Sequence, residues 1–408
     1  MNKQIPTTRF AALGLVAISA MAQSDPALIK FSGFGTLGAV HSSEKNADFV
    51  STALQPDGAG HTLATAFSPD KKIGLQAYAI FGEMFSATVQ GVSEYRYDRT
   101  YNPAVKLAFL KAQVTSEISI RAGRVPFPAY VISDYQKTGY AYVWVRPPVE
   151  LYQFNPFTSI DGGDITWQTN VGSIALKTTA FTGSFDDRGF ARGYVTEFSA
   201  RKIAGLSLVG VKGDSTYRAF YTQFDVTTSN PLITAGLNQI RGGDPALANR
   251  LDVTGKKATY LSMAYQYDPG NWFFIVEAGR NAGDEDLVLH STSGYATVGY
   301  RFGDWTPFLM VANRKTDSSL TATSTNPIPA IAAALSAGAS ALLASGNKAQ
   351  GSYTAGLRWD FMKNFDLKLQ YDAVKNASNS QGTLAAPQPA FVKGQSYNLM
   401  TINLDFVF

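Results

Sequence analysis

Charged side chains of both signs gather in one stretch of this chain, and no recognisable catalytic motif accompanies them. Arg121 and Arg124 lie in Ile118-Ser119-Ile120-Arg121-Ala122-Gly123-Arg124. The segment that follows carries Asp134, Lys137, Arg146 and Glu150, with Asp161 and Asp164 at its far end. Elsewhere Lys111, Arg301, Arg358 and Lys368 fall on the polar alternation of their stretches. Fixed charges of this kind pair with one another or hold a field across an aqueous space. Hydrolysis would need a nucleophile or an activated water beside a base, commonly His. None of the three histidines, His41, His61 and His290, stands in a Ser or Asp motif. His41 and His61 with Asp48 do not make a metal site, because a lone pair of loop histidines is ordinarily solvated. There is no Walker loop, and Phe31-Ser32-Gly33-Phe34-Gly35 is not followed by a helix, so it is no dinucleotide fingerprint. The expectation is a protein that is not an enzyme and uses no cofactor and no metal.

Composition narrows the class. Of 408 residues only 16% are charged, against roughly 25% in ordinary soluble domains. With 45% hydrophobic residues and a net charge of +4, the chain is not a disordered one. The absence of cysteine excludes a disulfide framework and thiolate-held metal. Past the N-terminus there is no charge-free apolar run of ~18 residues, which excludes a bundle of spanning helices. The charges are spread along the chain rather than clustered, which argues against nucleic acid as a partner. No composition shift divides the sequence into domains.

The first segment reads as an export address. Lys3 and Arg9 precede an apolar core, Phe10 to Ser19, and Ala20-Met21-Ala22 fits a small-x-small cleavage site. Residues 1–22 are therefore expected to be a signal peptide and 23–408 one domain. Removing Lys3 and Arg9 leaves 33 basic against 31 acidic residues, or +2.

The dominant period is two. Met400, Ile402, Leu404, Phe406 and Phe408 alternate with Thr401, Asn403 and Asp405; Phe365, Leu367, Leu369 and Tyr371 alternate with Asp366, Lys368, Gln370 and Asp372. Such alternation places one set of side chains on each face of a strand. Sixteen strands are expected near 28–41, 71–81, 84–96, 104–114, 118–124, 161–170, 173–183, 189–202, 206–226, 257–267, 272–281, 289–302, 305–315, 351–361, 365–376 and 395–408. Tight turns (Gly82-Glu83, Thr115–Glu117, Val171-Gly172, Ile203–Gly205, Asp268–Asn271, Gly303-Asp304, Met362–Asn364) fall at one end. Every long link falls at the other. A soluble sandwich has no reason to sort its connections by end, whereas membrane barrels have short turns on one side and long loops on the other. Lipid offers no hydrogen bonds, so the sheet must close on itself. Tyr300, Phe302, Trp305, Trp359, Phe361 and Phe365 near strand ends suit a girdle of rings at the headgroup level. The expected fold is all-β: a transmembrane antiparallel β-barrel of about sixteen strands.

Three stretches then resemble Gram-negative outer-membrane porins: Phe31-Ser32-Gly33-Phe34-Gly35-Thr36-Leu37-Gly38 as a first strand, Ile118 to Arg124 as the strand feeding the third loop, and Leu404-Asp405-Phe406-Val407-Phe408 as the terminal strand. The resemblance implies a water-filled channel for passive diffusion of ions and small hydrophilic solutes in the bacterial outer membrane. It also implies a homotrimer, contact with outer-membrane lipid and lipopolysaccharide, and delivery to the barrel-assembly machinery through Phe408. It further implies that the third connection, 125–160, folds into the lumen as a constriction. The family's short Pro-Glu-Phe-Gly-Gly stretch is missing from that connection. By resemblance, Arg121 and Arg124 on the wall would face Asp134 and Glu150 on the loop, with Lys137 and Arg146 beside them, and Lys111, Arg301, Arg358 and Lys368 would line the lumen.

The third connection is rich in rings (Tyr130, Tyr135, Tyr140, Tyr142, Trp144, Tyr152, Phe157). They would either line a slide for sugars or small organic acids, making a substrate-selective channel, or anchor the loop to the wall. Barrel enzymes resemble smaller barrels, which this pattern exceeds. Asn326 to Asn347, rich in alanine, suits a short loop helix.

Overall fold

The first strand of the described chain pairs on one edge with its neighbour in sequence and on the other with the last strand, which closes the sheet. The computed structural model describes residues 28–153, 157–191, 193–283 and 290–408; the expected signal peptide lies outside them. Sixteen antiparallel strands form the wall: β1 (Leu28–Ser42), β2 (Lys72–Phe81), β3 (Phe85–Glu94), β4 (Ala104–Gln113), β5 (Ile118–Pro126), β6 (Ser159–Val171), β7 (Ile174–Ala191), β8 (Tyr194–Lys212), β9 (Ser215–Ser229), β10 (Lys256–Tyr267), β11 (Trp272–Gly283), β12 (Ser291–Tyr300), β13 (Trp305–Thr316), β14 (Gln350–Met362), β15 (Phe365–Asn376) and β16 (Ser396–Val407). Each strand pairs with the next, and β1 pairs with both β2 and β16. The seam between β1 and β16 runs from Phe34 opposite Val407 to Ser42 opposite Leu399. Beyond it, Gly33 and Phe408 exchange two backbone hydrogen bonds, at 2.8 and 3.0 Å.

Parity sorts the side chains as the alternation requires. On β16, Tyr397, Leu399, Thr401, Asn403 and Asp405 are buried, while Met400 and Ile402 are exposed. On β13, Phe308, Met310 and Ala312 turn inward, and Leu309 and Val311 face out. The exposed set is apolar all round the wall, from Phe31 (81% exposed) to Tyr353 (73%). An apolar exterior on a closed sheet is the arrangement that lipid demands. At the tight-turn end, rings from adjacent strands touch in sequence: Trp305 stacks on Trp359 at 4.9 Å, and contacts continue through Phe361, Phe365, Phe406 and Phe408. The expected girdle is thus a continuous string of six rings. Gly33 and Gly35 lie under its last two members, and a Cβ at either would run into the Phe408 or Phe406 ring.

One part of the wall departs from the sequence expectation. Strands at 173–183, 189–202 and 206–226 become β7, β8 and β9, with 18, 19 and 15 residues. The expected turn at Ile203–Gly205 is interior to β8, and the tight turn falls at Gly213-Asp214 instead. The register slips between Gly183 and Phe185 and between Arg201 and Ala204, and Lys202 there has a φ of 52°. A bulge interrupts alternation without ending a strand, so it reads as a turn in the sequence.

Helices occupy the long loops. α1 (Val149–Tyr152) lies in the third loop, α2 (Pro231–Gly243) and α3 (Pro245–Leu251) follow β9, and α4 (Pro329–Ser345) follows β13. α4 fills the alanine-rich stretch, whose composition suits a helix. α2, α3 and α4 share a small core of Ile233, Leu237, Ile240, Leu247, Leu251, Ala339 and Leu343. The Asp244 carboxylate ties the two loops together: it accepts from Leu247 N at 2.9 Å, capping α3, and from Ser324 Oγ at 2.7 Å and Thr325 N at 2.8 Å. These bonds hold its pKa down at about 2.

Candidate functional site

Between β5 and β6 the chain leaves the wall, and the contacts of its described residues, 127–153 and 157–158, are with inward-facing side chains of strands all round the barrel. Val125, Pro126, Ser159 and Ile160, expected within the loop, extend the strands. Phe127 meets Phe181 of β7 and Phe220 of β9 edge-on, at 5.7 and 5.5 Å. Tyr130 stacks on Tyr152 at 4.3 Å and leans on Tyr260 of β10. The Ala129 carbonyl accepts from Ser262 Oγ at 3.0 Å, and the Pro128 carbonyl accepts from Arg218. Glu277 of β11 receives three donors: Val131 N at 3.0 Å, Tyr152 OH at 3.1 Å and Tyr295 OH at 3.1 Å. The Trp144 indole donates to Thr297 Oγ1 of β12 at 3.0 Å. Phe127, Tyr130, Tyr142, Trp144, Tyr152 and Phe157 are buried, and each ring removed from water contributes about 1.5–3 kcal/mol to docking. These rings anchor the segment to the wall, and Tyr152 also borders the cavity beside it.

Polar anchors fix the segment to the other half of the wall. Arg358 of β14 donates to the carbonyls of Tyr140 (2.7 Å) and Tyr142 (3.1 Å) and holds Asp360 and Asp366. Lys368 of β15 donates to the Gly139 carbonyl at 2.7 Å and to Asp405 of β16 at 2.9 Å. A Cβ at position 139 would collide with Asp405 and Thr36, so this close approach needs glycine. Val145 N donates to Gln370, and its carbonyl accepts from Asn403. Arg146 binds Asp70 of the first loop at 3.0 Å and Thr401 of β16 at 2.9 Å, with Asp372 at 3.7 Å. Burial alone would push the Asp70 carboxyl up, but the Arg146 guanidinium more than offsets this and holds it below the usual carboxylate range. Glu150 accepts from Gln350 Nε2 at 2.8 Å, and burial pushes its carboxyl up. Burial also pushes the Tyr142 phenol up to about 12, against the pull of Lys72.

The facing arrangement expected of Arg121 and Arg124 with Asp134 and Glu150 is not what the structure holds. Arg121 forms an ion pair with Asp164 on the adjacent strand at 2.8 Å and lies over Phe109. Arg124, three residues on, clasps Asp161 at 2.7 Å and is partly exposed. Asp134 is exposed at the start of a short 3-10 turn. The physical reason is proximity: β5 and β6 are register partners, so each arginine meets a carboxylate directly across the ladder. Lys137 reaches Glu94 of β3 at 2.6 Å. Lys111 lies opposite Arg121 on β4. Arg301 sits at the tight-turn rim, where it holds Asp268 of the neighbouring turn at 2.7 Å.

Sequence reasoning did not single out Glu94, Asp70 or Glu277 as anchors. For Glu277 a signal existed: a lone carboxylate on the polar alternation of the apolar stretch Trp272–Ala278. For Asp70 there was none, since its partner is remote in sequence. Among the described residues no cluster suits a metal ion.

The segment leaves one side of the interior open. A cavity of about 310 Å³ lies between it, the first loop and the β2–β7 wall, bordered by Lys72, Glu94, Lys106, Lys137, Arg124 and Asp161.

A closed antiparallel sheet with an apolar exterior and a polar, partly filled interior defines a transmembrane β-barrel. Its particular form is the outer-membrane porin fold. No protein-family model matches the chain, and no curated protein matches it in sequence. In three dimensions it is similar to the anion-selective porin from Comamonas acidovorans (10% identity, 94% of this chain and 100% of that one, TM-score 0.56). It is similar to Salmonella typhi OmpF in complex with Daunomycin (13%, 93% and 97%, 0.54). OmpT of Vibrio cholerae, an outer membrane protein in trimer form, also matches (11%, 94% and 100%, 0.51). At these identities the likeness is one of fold, and no neighbour's preference transfers to this chain.

Proposed function

We propose that the protein is a passive channel of the bacterial outer membrane, conducting ions and small hydrophilic solutes. One observation carries this reading: the segment between β5 and β6 is pinned to inward side chains across most of the wall, yet leaves a charged, water-accessible cavity along β2–β7. A barrel built only as a scaffold would have no use for such a remnant. The segment acts as the constriction, and its tethers make the constriction a fixed one. Selectivity in such a pore comes from its diameter and the charges lining it. A homotrimer is part of the proposal, consistent with the trimer form of OmpT of Vibrio cholerae. Planar-bilayer recording of the purified, refolded chain tests the reading. Stepwise currents in groups of three are expected. A folded barrel that inserts and never conducts would overturn it.

A further inference from the structure

The open side of the interior is not electrically neutral. The β2–β7 wall carries two tiers of cations, the upper one bordering the cavity and the lower one beyond its lining. In the upper tier Lys72 (β2), Lys106 (β4) and Lys137 (third loop) surround Glu94, which accepts from Lys106 at 3.0 Å and Lys137 at 2.6 Å. In the lower tier Lys111 (β4), Arg121 (β5) and Lys177 (β7) stand around Asp164, which Arg121 holds at 2.8 Å. Lys111 is the register partner of Arg121, and Lys177 shares its face of β7 with buried Thr179 and Phe181. Neither Lys111 nor Lys177 forms an ion pair among the described residues.

The carboxylates near the cavity are mostly spent. Asp70 holds Arg146, Asp161 holds Arg124 and Asp186 holds Arg201; Asp187 is the exception and lies toward Lys106 and Arg124. Around the cavity as a whole there are eight Lys and Arg against five Asp and Glu. On the far wall the charges balance. Asp360, Asp366, Asp372 and Asp405 stand with Arg146, Arg314, Arg358 and Lys368 there, and the segment's tethers run to this side. The segment therefore closes the balanced side and leaves the basic side open.

Resting on the channel reading above, we infer that the open path is an anion path, in which Lys72, Lys106 and Lys137 and then Lys111, Lys177 and Arg121 draw small hydrophilic anions along the β2–β7 wall. The lower tier holds three cations and one carboxylate, a net +2, while in the upper tier Lys72 also faces Asp70 and Asp405. Low-dielectric walls focus such a field on the aqueous thread between them. The screening length is about 10 Å at 0.1 M salt, so charges bordering so narrow a space are felt across it. Lys111 and Lys177 matter most, because neither forms an ion pair among the described residues.

The test is the reversal potential of the full-length barrel in a planar bilayer under a potassium chloride gradient. Chloride is expected to permeate at least about twofold better than potassium near 0.1 M, and the preference should shrink near 1 M, where screening falls to about 3 Å. The double variant Lys111→Gln with Lys177→Gln should keep its conductance and lose most of the preference. Heat-modifiable gel mobility checks that it folds, and Lys177→Gln alone, shifting the ratio the same way by less, serves if the double variant does not. A conducting channel that prefers potassium or shows no preference refutes the inference. So does a folded double variant with the parent's ratio. A barrel that inserts without passing current refutes instead the channel reading beneath it.

Discussion

Arg146 of the third loop and Asp70 of the first form a buried ion pair, Nε to Oδ1 at 3.0 Å, across 76 residues of sequence. Through it two loops share one position against β16. Removing one partner of such a pair leaves the other buried and uncompensated, at a cost of about 3–5 kcal/mol. Asp70→Asn is therefore expected to lower the denaturant midpoint of the refolded barrel and to add brief closures to single-channel records. Arg146→Met combined with Asp70→Leu should recover most of the midpoint, because a well-packed apolar pair replaces a buried ionic one at little cost. A double variant as weak as the single one would show that Thr401 and Asp372 carry the arginine instead.

Glu277 is a second fastening point. With its carboxylate gone, Val131 N, Tyr152 OH and Tyr295 OH lose their acceptor inside the barrel. An unsatisfied buried group costs about 1–3 kcal/mol. Glu277→Ala should loosen residues 127–158 without opening the wall, seen as faster protease cleavage in that segment while gel mobility remains that of a closed barrel. Glu277→Gln, which keeps an acceptor, should be milder.

Acid should release the helical cap before the wall. Asp244 in the folded state has a pKa near 2, below its ordinary value of about 3.9. Its stabilising contribution is complete above that ordinary value and is lost as pH falls toward 2. Hydrogen exchange in α2, α3 and α4 is expected to quicken between about pH 4 and pH 2, while strand amides stay protected. Asp244→Ala should show the fast exchange already at neutral pH.

Glu150 runs the other way. Burial raises its carboxyl, so its contribution is complete below the ordinary glutamate value and is lost as pH rises through the raised one. Glu150→Gln should therefore leave stability in acid nearly unchanged and improve it at neutral pH, read as a shift in thermal midpoint at the two conditions. An unchanged difference between the two midpoints would count against this assignment.

The wall was more legible in the sequence than the site. Period-two alternation set β10, β11 and β13 within two residues and β15 without error, because each strand has one face in lipid and one in a polar interior. The same signal failed at Arg201–Ala204, where a bulge breaks alternation and β8 continues. Side-chain parity puts Arg358, Lys368 and Arg121 on the polar face of their strands, but parity says nothing about partners. Arg121 with Asp164 was decided by ladder register, and Arg146 with Asp70 by the docking of two loops, and neither can be read from local spacing. The alanine-rich stretch revealed α4 through propensity, while the contacts that seat it on α2 and α3 depend on the tertiary fold.

The wall is not of even height. β8 has 19 residues and β3 has 10; β8 ends at a tight turn and β3 starts from one. Nine residues at about 3.3 Å each add roughly 30 Å of strand, and a tilt near 40° leaves roughly 20 Å of it as height. The mouth is thus an oblique cut rather than a level ring. A solute entering the proposed channel would meet the tall side first.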